Sequence, residues 1–170
     1  MTETRSTHMT ADVSRWQGHS SVRRGTSLWS RLLGQAFGFP AAGDQIPVEV
    51  TKTVTDSGEA WQRTFGARIF RSHLAATPHG MTERFGPFTF ILGLTVENGV
   101  LHYPVDAGRL GPLPLPRWLL PSSEAREYVE GGVFRFDVKL RAPLTGDLLV
   151  HYQGTLTPAT MDTRRPETST

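Results

Sequence analysis

Two charged residues, Arg63 and Glu83, stand where a plain solvated surface would not put them. Arg63 lies between Trp61 and Phe65, and side chains at i and i+2 of a strand share a face. Glu83 lies in the same way between Met81 and Phe85. A charge on an apolar face must be paired or must border water, because burying it alone is strongly unfavourable. The two opposite charges are therefore expected to meet inside the fold, with Arg109 and Glu127 joining them. Such a cluster would orient the polar head of a small ligand whose body packs on Trp61, Phe65, Phe88, Phe90 and Trp118. A purely structural ion pair at the rim of a sheet would leave the same pattern.

Other chemistries have less behind them. The chain has no cysteine, which excludes disulfides, thiolate metal sites and thiol nucleophiles. The histidines are His8, His19, His73, His79, His102 and His151, and none are spaced i, i+2 or i, i+4 as metal ligands on one face would be. No metal and no cofactor are expected. There is no G-x-S-x-G elbow, and Ser72 and His73 point to opposite faces as strand neighbours. Glu83 and Glu127 would serve acid–base chemistry if the fold brought them together. The net charge is +2, and Arg5, Arg15, Arg23, Arg24 and Arg31 cluster only mildly, so no nucleic-acid face is expected. No run is long and apolar enough to span a membrane, and the N-terminus lacks the apolar core of a secretory signal, so a soluble cytoplasmic protein is expected.

The elements that must position these residues are mostly strands. Phe88 to Val105 reads F-T-F-I-L-G-L-T-V-E-N-G-V-L-H-Y-P-V. Asn98-Gly99 between alternating runs is a strong hairpin signal, because both turn residues need positive φ. Glu97 then faces Val100, Val96 faces Leu101, Leu94 faces Tyr103, and Leu92 faces Val105. The last three pairs are expected to share one buried face, since a one-residue slip would scatter them. Further runs begin at Ile46, Glu59, Ala67, Met81, Phe134 and Leu148, while Ser122–Glu130 reads as a strand or a short helix. Gly108 to Pro121 carries four prolines and reads as an extended loop with apolar plugs.

One helix is expected over residues 27–38. Leu28, Trp29, Leu32, Leu33, Ala36 and Phe37 recur at helical spacing, Thr26 or Ser27 caps the start, and Gly38 and Pro40 end it. Its polar face offers only Arg31 and Gln35, so it is expected to cover an opening or face of the sheet rather than to anchor in lipid. Residues 1–25 and 159–170 read as disordered tails around one domain, 26–158. The fold class is all-β: an antiparallel meander of about eight to nine strands, closed or half open as a barrel, with one N-terminal helix.

Several segments together resemble a known family. They are W-Q-R-T-F-G at 61–66, E-R-F-G-P-F-T-F at 83–90, E-N-G-V-L-H-Y-P-V at 97–105, R-L-G-P-L-P-L-P-R-W-L-L-P at 109–121, F-R-F-D-V at 134–138 and G-D-L-L-V-H-Y-Q-G-T-L-T-P at 146–158. The chain resembles a bacterial family of domains of unknown function that sometimes sits C-terminal to a saccharopine-dehydrogenase-like or related NAD(P)-binding domain. The resemblance implies no activity to carry over. Trp61, Arg63, Phe65, Glu83, Arg109 and Glu127 are among the motif positions it covers. Because no G-x-G-x-x-G follows a strand here, any NAD(P)-binding partner would be a separate protein.

The functional expectation is a non-catalytic binding or accessory domain that holds a small apolar or amphipathic ligand. Its site would comprise Trp61, Arg63, Phe65, Glu83, Arg109, Trp118 and Glu127. The alternatives are an enzyme or reductase subunit using the same carboxylates, and a structural module that docks through the helix.

Overall fold

The computed structural model describes residues 13–78 and 80–159. The chain runs through β1 (Val13–Arg24), α1 (Leu28–Ala36), β2 (Gly43–Thr55), β3 (Gly58–Phe65), β4 (Arg68–Thr77), β5 (Gly80–Phe85) and β6 (Phe88–Leu92). It continues through β7 (Thr95–Glu97), β8 (Val100–His102), β9 (Val105–Leu110), β10 (Leu113–Pro114), a 3-10 turn at Arg117–Leu119, β11 (Ser122–Glu130), β12 (Val133–Arg141) and β13 (Leu148–Pro158). All strands belong to one antiparallel sheet of thirteen, in the order β10-β9-β6-β5-β4-β3-β2-β1-β13-β12-β11-β8-β7.

The all-β class and the single helix stand, but the count of eight to nine strands is too low. Three local causes account for the difference. The hairpin is interrupted at 93–94 and 103–104, so its two arms become β6, β7, β8 and β9. The proline-rich segment contributes the short β10, and Ser122–Glu130 is a strand rather than a helix. The third cause is β1, which occupies Val13–Arg24, inside the stretch read as an N-terminal tail. The rest of that tail, 1–12, and residues 160–170 lie outside the described residues.

The pattern of β1 is hidden by small residues. Trp16, Gly18, Ser20 and Val22 face inward and Arg15, Gln17, His19 and Arg23 outward, but two of the four inward positions carry no apolar side chain. Both are small because β13 lies close. A Cβ on Gly18 would overlap the Thr155 carbonyl, and Ser20 Oγ donates to the Gln153 carbonyl at 3.0 Å. β1 thereby pairs with both β13 and β2 near the middle of the sheet.

The Asn98-Gly99 turn has the expected geometry, with φ of 52° and 79°. Glu97 pairs with Val100, Val96 with Leu101 and Leu92 with Val105. The expected common face is not kept. Leu92 is buried, whereas Leu94 and Val96 are exposed. The break at Gly93 and Pro104 bends the ribbon, so β6 and β9 pair at one end of the strand order and β8 pairs with β11 at the other. One hairpin therefore reaches both ends of the order. The ladder itself stays open, with β10 and β7 as its terminal strands.

Because neighbouring strands alternate in direction, the connections fall into two sets. The helix end holds the α1 segment and residues 66–67, 86–87, 111–121 and 142–147. The turn end holds residues 56–57, 98–99, 131–132 and the connection after Thr77. The helix-end segments meet one another. Trp29 Nε1 donates to the Pro143 carbonyl at 3.3 Å, the Phe37 and Phe88 rings are 5.2 Å apart, and the Gly111 N–H donates to the Pro87 carbonyl at 2.8 Å.

Ser27 caps α1, accepting from the Ser30 N–H at 3.1 Å, and Gly38 leaves it at a φ of 67°. Arg24 locks the helix to the sheet by donating to the carbonyls of Phe39 and Pro40, with its guanidinium lying against Gly34. An added Cβ at Gly34 would overlap that guanidinium. Gly34→Ala is expected to destabilise the protein by about 1–3 kcal/mol despite its better helix propensity, because Arg24 must leave its two acceptors. Chemical denaturation will read this, and an unchanged midpoint would show that Arg24 does not clamp α1.

Candidate ligand-binding cavity

The concave face of the sheet lines a partly open cavity of about 370 Å³. Alternation delivers its lining in rows: Val48, Val50 and Lys52 from β2, then Trp61, Arg63 and Phe65 from β3. Glu83 and Phe85 come from β5, and Ser123, Ala125 and Glu127 from β11. Phe134, Phe136, Val138 and Leu140 of β12 and Tyr152 of β13 form the far wall. At the helix end Trp29, Leu33 and Phe37 close over it, together with Leu115 and Leu119.

Three of the charged groups lie toward the turn end, whereas Arg63 is two residues from the helix-end limit of β3. Lys52, Glu83 and Glu127 each lie three residues inside the turn-end limit of their strands. Arg63 and Glu83 do meet, with Nη2 and Oε1 3.1 Å apart. Ser72 completes a triangle: it accepts from Arg63 Nη1 at 2.8 Å and donates to the same Glu83 oxygen at 2.7 Å. The guanidinium also lies over Trp61, 4.6 Å from the ring centroid, and over Phe70 at 5.5 Å. The Lys52 ammonium sits 3.8 Å from the centroid of Trp61, whose indole N–H is held by Glu59 at 2.7 Å. Among the described residues Lys52 forms no ion pair; its ammonium lies against the faces of Trp61 and Trp16, and Glu127 and Glu59 act on it from farther away.

Opposite them, the Tyr103 hydroxyl donates to Glu127 Oε1 at 3.2 Å. Burial pushes the Glu127 carboxyl up, against the opposing pull of Lys52, the Tyr103 hydrogen bond and Arg63. Burial likewise lowers Lys52, with Glu127 and Glu59 partly restoring it. Tyr103 is raised well above its ordinary value by burial and then by Glu127, and Tyr152 is raised by burial to about 12. Both phenols are therefore protonated donors at neutral pH.

Of the seven site residues expected from sequence, the structure brings Trp61, Arg63, Phe65, Glu83 and Glu127 to this cavity. It does not bring Arg109 or Trp118. A bulge on β9, where Ile91 pairs with Ala107 and Leu92 with Val105, shifts the alternation. Gly108 then faces Phe90 and Leu120, and Arg109 turns out to solvent. Trp118 is 62% exposed because the 3-10 turn sends Leu119 inward in its place. Sequence reasoning missed Lys52, Ser72, Tyr103 and Tyr152 as members of the cluster. Lys52 did leave a signal, as the one charge in the row Ile46, Val48, Val50, Val54.

The outer face carries a separate network. His151 Nε2 and Asp137 Oδ1 are 2.8 Å apart, and Arg126 reaches Asp137 at 2.8 Å. Asp137 is thus half-buried and paired. Partial burial raises its carboxyl, but the bonds to Arg126 and His151 outweigh that and lower it overall. Among the described residues no three histidines or carboxylates come together as a metal site, and no helix is long and apolar enough to cross a membrane.

A single curled antiparallel sheet with an internal, mostly apolar cavity and an ionisable cluster on its wall defines an all-β domain of the cavity-bearing kind. The chain belongs to the family described as a domain of unknown function (DUF4166), whose model matches residues 2–156 and so takes in β1. No curated protein and no solved structure matches it.

Breaking the ion pair from one side leaves a nearly buried charge. Glu83→Gln is expected to cost about 3 kcal/mol, and Arg63→Met in the same chain should recover much of it. A double-mutant cycle by urea denaturation measures the coupling, and additive single effects would show that the pair contributes no coupling. For Glu127, whose folded pKa is raised, stabilisation is present below the ordinary value of 4.5 and is lost as pH rises through the folded value. The stability of wild type relative to Glu127→Gln should therefore fall across that window and level off above it. A flat difference would place Glu127 in water.

Proposed function

We propose that this domain binds a small amphipathic molecule inside a half-open barrel. The supporting observation is the presence of Lys52, Arg63, Glu83, Glu127 and two neutral tyrosines on the wall of an otherwise apolar cavity. A volume of about 370 Å³ falls within the range of sites that bury most of a small ligand. Lys52 on the inner wall favours a cavity over a solid core, because a partly buried ammonium without an ion pair is better accommodated where a ligand or water can reach it. The half-open barrel reading rests on the ribbon that reaches both ends of the strand order.

In this reading the apolar body of the ligand lies against Phe65, Phe88, Phe90, Phe136 and Leu140. Its head reaches the cluster. Arg63 is already paired with Glu83 and Tyr103 with Glu127, which leaves the Lys52 ammonium and the Tyr152 hydroxyl to donate to an acceptor on the ligand. An oxygen-bearing head, a carboxylate or a hydroxyl, fits those donors. The domain then works as a non-catalytic carrier or sensor, in the cytoplasm.

The Tyr103–Glu127 pair favours a second reading, proton transfer on the bound molecule. A carboxyl raised by burial beside a protonated phenol is the pairing of acid and base that such chemistry uses. Turnover of the bound molecule that Glu127→Gln abolishes would select that reading.

The test of binding is direct. Native mass spectrometry and organic extraction of the purified protein should return an amphiphile. A fluorescent medium-chain fatty acid should be taken up, and saturating medium-chain fatty acid or alcohol should raise the melting temperature. At about 100 times the dissociation constant the stabilisation is about 2.7 kcal/mol. Lys52→Met should weaken the acid more than the alcohol. No extracted molecule, no uptake and no thermal shift with either class would end the proposal.

A further inference from the structure

The helix end of the sheet carries an apolar surface outside the cavity as well as inside it. On α1 the apolar positions form two adjacent stripes. Trp29, Leu33 and Phe37 face the cavity. Leu28 and Leu32, one turn apart on the neighbouring stripe, are 80% and 58% exposed. The proline-rich segment repeats the arrangement, with Leu115 and Leu119 inside and Leu113 and Trp118 exposed. The same two segments that close the cavity thus offer apolar side chains to solvent on their outer side, an unusual concentration for a free surface.

Charge separates the two ends. Among the connecting segments and the strand residues that border them, the helix end holds Arg24, Arg31, Arg68, Arg117 and Arg141 against the single carboxylate Asp147; Arg24 is turned to the Phe39 and Pro40 carbonyls and Arg141 pairs with Glu124 at 3.8 Å. Arg31, Arg68 and Arg117 are exposed. The turn end holds Asp56, Glu97 and Glu130 and, among the described residues, no lysine or arginine. α1 by itself has one arginine and does not look like a membrane-surface helix. The other cations come from strand ends and a 3-10 turn that the fold brings round it.

We propose that the helix end docks on an anionic lipid bilayer and that the cavity exchanges its ligand with that bilayer past α1 and the proline-rich segment. Arginines ringing exposed leucines and a tryptophan match an interface with negative headgroups over an apolar layer. A protein partner would account for the exposed side chains but not for their sharing two segments with the cavity lining. The exchange step rests on the cavity reading given above, whereas the docking step does not.

The full chain is to be sedimented with vesicles of phosphatidylcholine alone and of equal parts phosphatidylcholine and phosphatidylglycerol. Binding is expected to the mixed vesicles and to be weakened by salt. The double variants Leu28→Ser with Leu32→Ser, and Arg31→Glu with Arg117→Glu, alter only exposed side chains and should each lower partitioning about tenfold or more. Transfer of a fluorescent fatty acid from vesicles to protein should speed up with phosphatidylglycerol content. No binding to the mixed vesicles overturns docking, as does binding that the leucine variant retains in full. Retention on duplex DNA without vesicle binding would assign the arginines to a nucleic acid and also overturn it. Uptake of the fatty acid from solution without vesicle binding removes docking and leaves the cavity reading standing. Vesicle binding without any uptake does the reverse.

Discussion

A guanidinium inside an apolar concavity is tolerated only if its charge is answered where it sits, and much of this fold can be seen as meeting that condition for Arg63. Glu83 supplies the opposite charge at 3.1 Å, and Ser72 bonds to both. These three residues sit on β3, β4 and β5, so the ion pair depends on the relative register of three strands. Trp61 and Phe70 then cover the guanidinium with ring faces. A register slip of one residue would turn Glu83 to the outer face and leave Arg63 uncompensated. The same register holds Lys52 across from Trp61 and so decides where the second cation of the cavity can lie.

Curling the sheet around these groups demands close approach elsewhere. β1 and β13 come together at Gly18 and Gly154, where a Cβ on either residue would overlap the carbonyl of the facing strand. The bulge on β9 and the break at Gly93 bend the opposite side. The result is a mostly apolar concave wall interrupted by one cluster of ionisable side chains. A cavity of that kind suits an amphipathic guest better than a uniformly greasy one. The connecting segments differ in charge along the strand axis, with arginines at the helix end and carboxylates at the turn end.

Much of this was legible in the residues. The type of the Asn98-Gly99 turn, its register, the helix with its Ser27 cap and the strands β12 and β13 all follow from local rules of φ, alternation and capping. So did the meeting of Arg63 and Glu83, because two opposite charges on apolar faces have few other ways to be accommodated. β1 escaped because its inward row uses Gly18 and Ser20, sizes chosen by the neighbouring backbone rather than by hydrophobicity. Arg109 and Trp118 were misplaced because one extra residue in β9 and the turn of a short 3-10 segment decide which way they point. Neither leaves a mark in composition.

The chain's own residue pattern determined that this is an antiparallel sheet with one helix and charges inside it, since strand periodicity and the penalty on lone buried charge act over a few residues. Only the tertiary structure decided that Lys52, Tyr103, Glu127 and Tyr152 share one chamber and that the arginines share one rim. These residues are separated by many positions in the chain, and their proximity depends on strand order and curvature. Those in turn follow from small residues and bulges whose effect appears only once the strands are packed side by side.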